Sequence, residues 1–142
     1  MKIDGGCHCG AITYEAEVDP DKVVLCHCTD CQTLSGSAFR TVVPTNEGTF
    51  KLLSGEPKVY VKTGESGNKR EQTFCADCGT PISYEHDELP GEIYIHAGLF
   101  DEADRLVPDR HAYVTSKLFW MHLEDGLDTP GAPGGEGPAS PA

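Results

Sequence analysis

A mainly β fold is predicted by three features of the chain. Its dominant hydrophobic period is two, turn signals recur every few residues, and no run of useful length carries a helical period. Ile12, Tyr14, Ala16 and Val18 alternate with Thr13, Glu15 and Glu17, the pattern of a strand with one buried face. Phe39, Thr41 and Val43 share a second such face, and Ile93, Ile95 and Ala97 a third. Further β-rich runs occupy 50–53, 59–62, 72–74 and 81–84. Turn signals separate them at Asp19-Pro20, Asn46-Glu47-Gly48, Ser54-Gly55, 64–68 and Leu89-Pro90-Gly91. The best short helix lies at 29–34, with Thr29 or Asp30 as its cap. Phe119 and Trp120 are expected in the core.

The chain has 142 residues, the length of one domain with a core small enough for a metal site to help it. Residues 126–142 are rich in Gly, Pro and Ala with little apolar surface to bury. The folded domain is therefore expected over 1–125 and a disordered tail beyond it. A net charge of -12 argues against binding nucleic acid or an anionic membrane surface, since both need clustered Lys and Arg. The first residues form no apolar signal region and no run approaches the length of a spanning helix, so a cytoplasmic location is expected.

Seven cysteines then read as metal ligands before disulfides, because cytosolic thiols stay reduced. They form three groups: Cys7-His8-Cys9, Cys26-His27-Cys28-Thr29-Asp30-Cys31, and Cys75-Ala76-Asp77-Cys78. Zinc takes soft thiolates in a tetrahedron; four close a site and three leave a position open. Seven is four plus three. The natural division joins Cys7 and Cys9 with Cys75 and Cys78 and leaves Cys26, Cys28 and Cys31 open, although Cys28-x-x-Cys31 also suits a four-cysteine ribbon. His8 and His27 lie between ligand cysteines and cannot easily converge on the same ion, so they are expected to point outward or to bond the backbone.

The sequence resembles the glutathione-dependent formaldehyde-activating enzyme and centromere protein V family. Gly6-Cys7-His8-Cys9-Gly10, Cys26-His27-Cys28-x-x-Cys31, Gly36, Phe39 and Phe74-Cys75-x-x-Cys78-Gly79 carry the likeness, and 98–101, Pro108, His111 and Trp120 continue it. The resemblance implies an Mss4-like β-tent of short antiparallel strands with zinc knuckles. It implies two zinc ions, one structural on Cys7, Cys9, Cys75 and Cys78, the other on Cys26, Cys28 and Cys31 near a glutathione site. The implied activity is a carbon–sulfur lyase interconverting S-hydroxymethylglutathione with glutathione and formaldehyde. Gln32 stands where many members carry a basic residue.

The chemistry of the open site follows from its charge. Zn²⁺ with three thiolates sums to -1, a poor Lewis acid for a carbonyl but a centre that can bind and deprotonate a fourth thiol. A thiol such as glutathione would thereby attack a small aldehyde, with Cys26, Cys28 and Cys31 as the catalytic centre. The carboxylates of glutathione need local cations; Arg40 is the first candidate, then Lys117 and Arg70, each set against a reading as a solvated surface charge. His111 is the candidate proton shuttle, set against a structural histidine. His96 is expected to face away from the core, and His86 and His122 to lie at the surface. Two other classes stand beside the lyase: a zinc-stabilised protein-binding module without catalysis, and a redox enzyme using Cys28 and Cys31 as a dithiol.

Overall fold

A computed structural model describes residues 1–64, 67–87, 89, 91–99 and 102–122. Among these the chain is mainly β. The strands are β1 (Lys2–Gly6), β2 (Thr13–Glu17), β3 (Val24–Cys26), β4 (Arg40–Pro44), β5 (Lys51–Ser54), β6 (Lys58–Thr63), β7 (Lys69–Phe74), β8 (Pro81–His86), β9 (Ile93–His96) and β10 (Arg110–Ala112). The α-helix α1 (Thr29–Ser35) lies between β3 and β4. One sheet runs β1-β2-β5 and the other β10-β3-β4-β9-β8-β7-β6. Their named pairings are antiparallel, except that β10 runs parallel to β3. This is the expected fold of short antiparallel strands with cysteine knuckles.

Side-chain alternation gives the larger sheet two unlike faces. Val43 and Ile95, register partners on β4 and β9, point into the core with Ile3, Ile12, Tyr14, Ala16 and Val18 of the smaller sheet's side. Truncating a buried isoleucine such as Ile95 costs about 2–5 kcal/mol in a core of this kind. On the opposite face, the neighbouring residues Val42, Cys26, Tyr84 and Ala112 join Cys28 and Cys31 in a second cluster. The period of two therefore separates a structural face from a chemical one.

Several expectations are corrected. The α1 cap is Cys28, whose sulfur accepts the Cys31 N–H, and not Thr29 or Asp30. β3 and β10 are three residues long and β1 ends in two glycines, too little pattern for periodicity to find. Phe119 and Trp120 are 87% and 55% exposed, because the chain has left both sheets before it reaches them. His27 is buried rather than outward-facing; His96 faces away from the core around Ile95 as expected, but is buried on that opposite face beside Tyr84. The tail at 126–142 and the boundary at 125 lie outside the described residues. Among the described residues no helix is long and apolar enough to cross a membrane.

Candidate metal centres

Two knuckles build the first cysteine cluster. In the turn between β1 and β2, the Cys7 N–H bonds the Ile12 carbonyl and the Ile12 N–H returns to the Cys7 sulfur at 3.2 Å. In the turn between β7 and β8, the Gly79 N–H bonds the Cys75 carbonyl. Gly10 and Gly79 hold φ of 83° and 78°, a left-handed conformation that turns the chain back toward its own sulfurs and favours residues without a Cβ. The sulfurs of Cys7, Cys9, Cys75 and Cys78 lie within 4.8 Å of one another. Cys7–Cys9 and Cys9–Cys75 are 3.6 and 3.7 Å apart. A Zn–S length of about 2.3 Å in a tetrahedron sets sulfurs about 3.8 Å apart, so the donor set fits zinc. A disulfide would need about 2.05 Å.

Without a cation these four sulfurs compete for charge. The Thr80 hydroxyl and backbone N–H groups hold Cys78 down to about 5. The Ala11 N–H favours a Cys9 thiolate, yet the neighbouring Cys7 and Cys78 sulfurs push Cys9 up to about 12. Like groups at one point cannot all ionise until a positive ion joins them.

The second cluster joins the end of β3 to the start of α1. Cys26 ends the strand, Cys28 caps the helix, and Cys31 lies in its first turn. All three are buried, and their sulfurs lie within 4.8 Å of one another. Among the described residues no fourth His, Cys, Asp or Glu completes the group. The Cys28 sulfur pushes Cys26 up to about 11, and Cys26 and Cys28 push Cys31 up further. Three soft donors with an unfilled fourth place suit a zinc site that accepts a ligand.

Arg40 is the unexpected neighbour. It is the β4 register partner of Cys26, so both side chains stand on the chemical face. It is 5% exposed, which removes the surface-charge reading. Its Nη1 donates to Gln72 Oε1 at 3.1 Å, and its Cζ lies 4.2 Å from the centre of the Tyr84 ring. Burial opposes its charge, but the adjacent Cys31 and then Tyr84 outweigh that and hold it above its ordinary value. The cluster is thus backed by one fixed cation.

Other contacts lock the loop. Gln32 Nε2 donates to the His27 carbonyl at 2.8 Å and the Ser116 carbonyl at 2.9 Å, tying α1 to the segment after β10. Asp30 receives Lys62 Nζ at 2.7 and 2.8 Å, which fixes the helix start to β6. His111 Nδ1 and His27 Nε2 are 2.8 Å apart and both rings are buried. The β10–β3 register pairs Ala112, not His111, with Cys26, so His111 meets His27 rather than the sulfurs.

Lys117 is half-buried and directly follows the stapled Ser116; Arg70 is half-buried on β7. His8 and His122 are exposed and His86 is half-buried. Sequence reading missed Gln72, Tyr84, Tyr94 and Tyr113. Gln72, Tyr84 and Tyr94 lay in predicted strands, at 72–74, 81–84 and 93–97, but their roles depend on cross-strand neighbours that local pattern does not show. Tyr113, at φ 55°, is the one non-glycine in the left-handed region among the described residues, and it packs against the cluster. Burial pushes its hydroxyl up. A conformation of this kind persists only where the surroundings impose it.

The family model described as glutathione-dependent formaldehyde-activating enzyme matches residues 2–116. A Schizosaccharomyces pombe protein named as an uncharacterised lyase is 25% identical over 116 residues, covering 82% of this chain and 81% of that one. The crystal structure of a Rhodobacter sphaeroides protein is similar in fold, with a TM-score of 0.57 at 22% identity, over 71% of this chain and 88% of that one.

Proposed function

The chain belongs to the glutathione-dependent formaldehyde-activating enzyme family, and on that premise we propose that it is a zinc-dependent carbon–sulfur lyase joining a thiol, glutathione, to a small aldehyde such as formaldehyde. The observation that carries this reading is the convergence of three buried cysteines without a fourth protein donor among the described residues, beside a buried arginine. Held by Cys26, Cys28 and Cys31, zinc would supply a position at which the substrate thiol is kept as its thiolate. Cys7, Cys9, Cys75 and Cys78 would hold a second, structural ion.

The chain's own residues then set the charge and the geometry. Arg40 brings the centre from -1 to neutral, so an incoming anionic thiol meets no net repulsion. The substrate sulfur attacks the aldehyde carbon and forms the C–S bond. The carbonyl π pair moves to oxygen, and that oxygen takes a proton. In reverse the hydroxyl loses its proton, the C–S bond breaks, and the sulfur keeps the pair. Tyr113 is our candidate for the group that moves this proton, because its ring packs against the cluster. Lys117 is the candidate cation for a substrate carboxylate. His111 acts through His27, holding the backbone between two ligand cysteines, and not as a shuttle at the sulfur.

The test is zinc per chain, measured in protein purified without chelator, before and after dialysis against glutathione. Two ions are expected, one of them labile or altered by the thiol, with accelerated loss of free formaldehyde when both substrates are supplied. One ion unmoved by glutathione, with no effect on formaldehyde, would sink the proposal.

A further inference from the structure

We infer that the cavity beside the open cysteine cluster is a recognition site for the zwitterionic, amino-acid end of the thiol substrate. The inference rests on the thiol-binding reading above and adds to it where the rest of the substrate lies.

The cavity measures about 880 Å³, the size of a small-molecule site. Its position follows from the sheet register. Val24 of β3 and Tyr94 of β9 line it and also pack in or against the apolar cluster that contains Cys26, Cys28 and Cys31. Val24 stands two residues before Cys26 on the same face, a step of about 7 Å along a strand. Arg110 is the β10 partner of Val24, and Pro44 the β4 partner of Tyr94, so four adjacent strands present lining residues on the chemical face. A tripeptide with its sulfur at the cluster spans this distance, since two extended residues cover about 7 Å.

The lining carries both signs of charge. Lys22 and Arg110 face the cavity together with Glu47 and Asp109. Neither the Lys2–Glu15 nor the Lys62–Asp30 ion pair involves these four groups, and they are not spent on one another. Glu92, also in the lining, accepts the Tyr94 hydroxyl and is held in place by it. Separated cations and carboxylates around one space match a ligand that brings an ammonium and a carboxylate of its own. A simple anion would be repelled by the carboxylates, and a purely apolar ligand would strip water from all of them without compensation. Glutathione carries one ammonium and two carboxylates, and in this acidic protein Lys22 and Arg110 are the cations the cavity offers them.

The test uses the full chain with cobalt in the cysteine sites as a spectroscopic probe. S-Methylglutathione has no thiol to give and therefore reads the cavity by itself, by calorimetry. 2-Mercaptoethanol has no zwitterion and reads the cluster by itself, through the cobalt absorption. Lys22→Ala and Arg110→Gln alter exposed and half-buried side chains, and melting curves confirm that each variant folds. Each is expected to weaken S-methylglutathione about tenfold, the effect of one lost charge-assisted hydrogen bond, with the 2-mercaptoethanol response unchanged. Lys51→Ala, on the other sheet, should alter neither. Parent-like S-methylglutathione affinity in the double variant, or no binding by the parent, overturns the inference while the thiol site stands. If instead the parent's cobalt spectrum ignores both 2-mercaptoethanol and glutathione, the thiol reading falls and takes this inference with it. Which probe goes silent tells the two failures apart.

Discussion

The two cysteine clusters use the same ligand chemistry in opposite surroundings. The Cys7/Cys9/Cys75/Cys78 group is made by two turns, has two of its sulfurs exposed, and is served by backbone N–H groups and the Thr80 hydroxyl. Four thiolates about a zinc ion carry -2, a charge that solvent beside Cys9 and Cys78 helps to screen. The Cys26/Cys28/Cys31 group is fully buried and has one donor fewer. With zinc bound, its -1 would sit in a low-dielectric place and need a counter-charge, for which Arg40 stands on the next strand. On the function proposed above, donor number and nearby charge, not ligand type, would divide a structural site from an open one.

The comparison breaks most visibly if the two sites are disabled in turn. Cys75→Ser should cost the fold itself, because structural zinc in small domains contributes about 10 kcal/mol or more of apparent binding energy to folding. Circular dichroism melting should show a large fall in Tm or no cooperative transition. Cys28→Ser should keep the fold, lose one zinc and abolish turnover; serine is itself a good helix cap, so α1 survives the change. A folded, two-zinc Cys75→Ser protein would reverse our assignment of the structural site.

A smaller effect is expected at Tyr113. Tyr113→Phe should lower turnover roughly 10²-fold with zinc content unchanged, the usual range for a lost proton-transfer group. Unchanged turnover would return the proton to water. Arg40→Met tests the counter-charge. Cobalt affinity at the open cluster should fall roughly 10- to 100-fold, as when a supporting partner of a metal ligand is removed. Chelator competition should show the closed cluster unaffected. Arg40→Lys should recover part of the loss, since lysine keeps the charge without the planar fork that meets Tyr84 and Gln72 together.

The smallest effect concerns pH. Burial, followed by the Arg40 charge, lowers His96 to about 3. Unfolded, it would titrate near 6.5. Above that value it costs nothing. As pH falls below it, the unfolded chain takes up a proton that the folded chain refuses, and stability is lost down to about pH 3. His96→Gln should therefore show a flatter acid slope in urea denaturation, by about 1 kcal/mol between pH 7 and 5.5. Equal slopes in parent and variant would place the sensitivity elsewhere. Acid loss of metal is common to both proteins and cancels in the difference.

Much of the fold was legible because alternation is a local property. Ile12, Tyr14, Ala16 and Val18 announce β2, and all four are buried. The knuckles were legible for the same reason, since Cys-x-Cys and Cys-x-x-Cys beside glycine encode their turns within a few residues. The three-residue strands β3 and β10, their parallel pairing, and β1 with its terminal glycines were not, because they hold too little pattern. The exposure of Phe119 and Trp120 was missed because hydrophobicity alone does not say where the chain leaves its sheets.

By itself, the sequence determined the mainly β class and the three cysteine groups, because each depends on residues close together in the chain; it suggested the four-plus-three division, which the fold then made by bringing Cys7 and Cys9 to Cys75 and Cys78. Tertiary structure alone decided that Arg40 is a buried counter-charge rather than a surface cation, that His111 meets His27, and that Lys22 and Arg110 share a cavity beside the cluster. These depend on strand order and register, which bring residue 26 beside 40 and residue 24 beside 110. Such long-range pairings arise from the balance of the whole core and leave no mark on the local pattern.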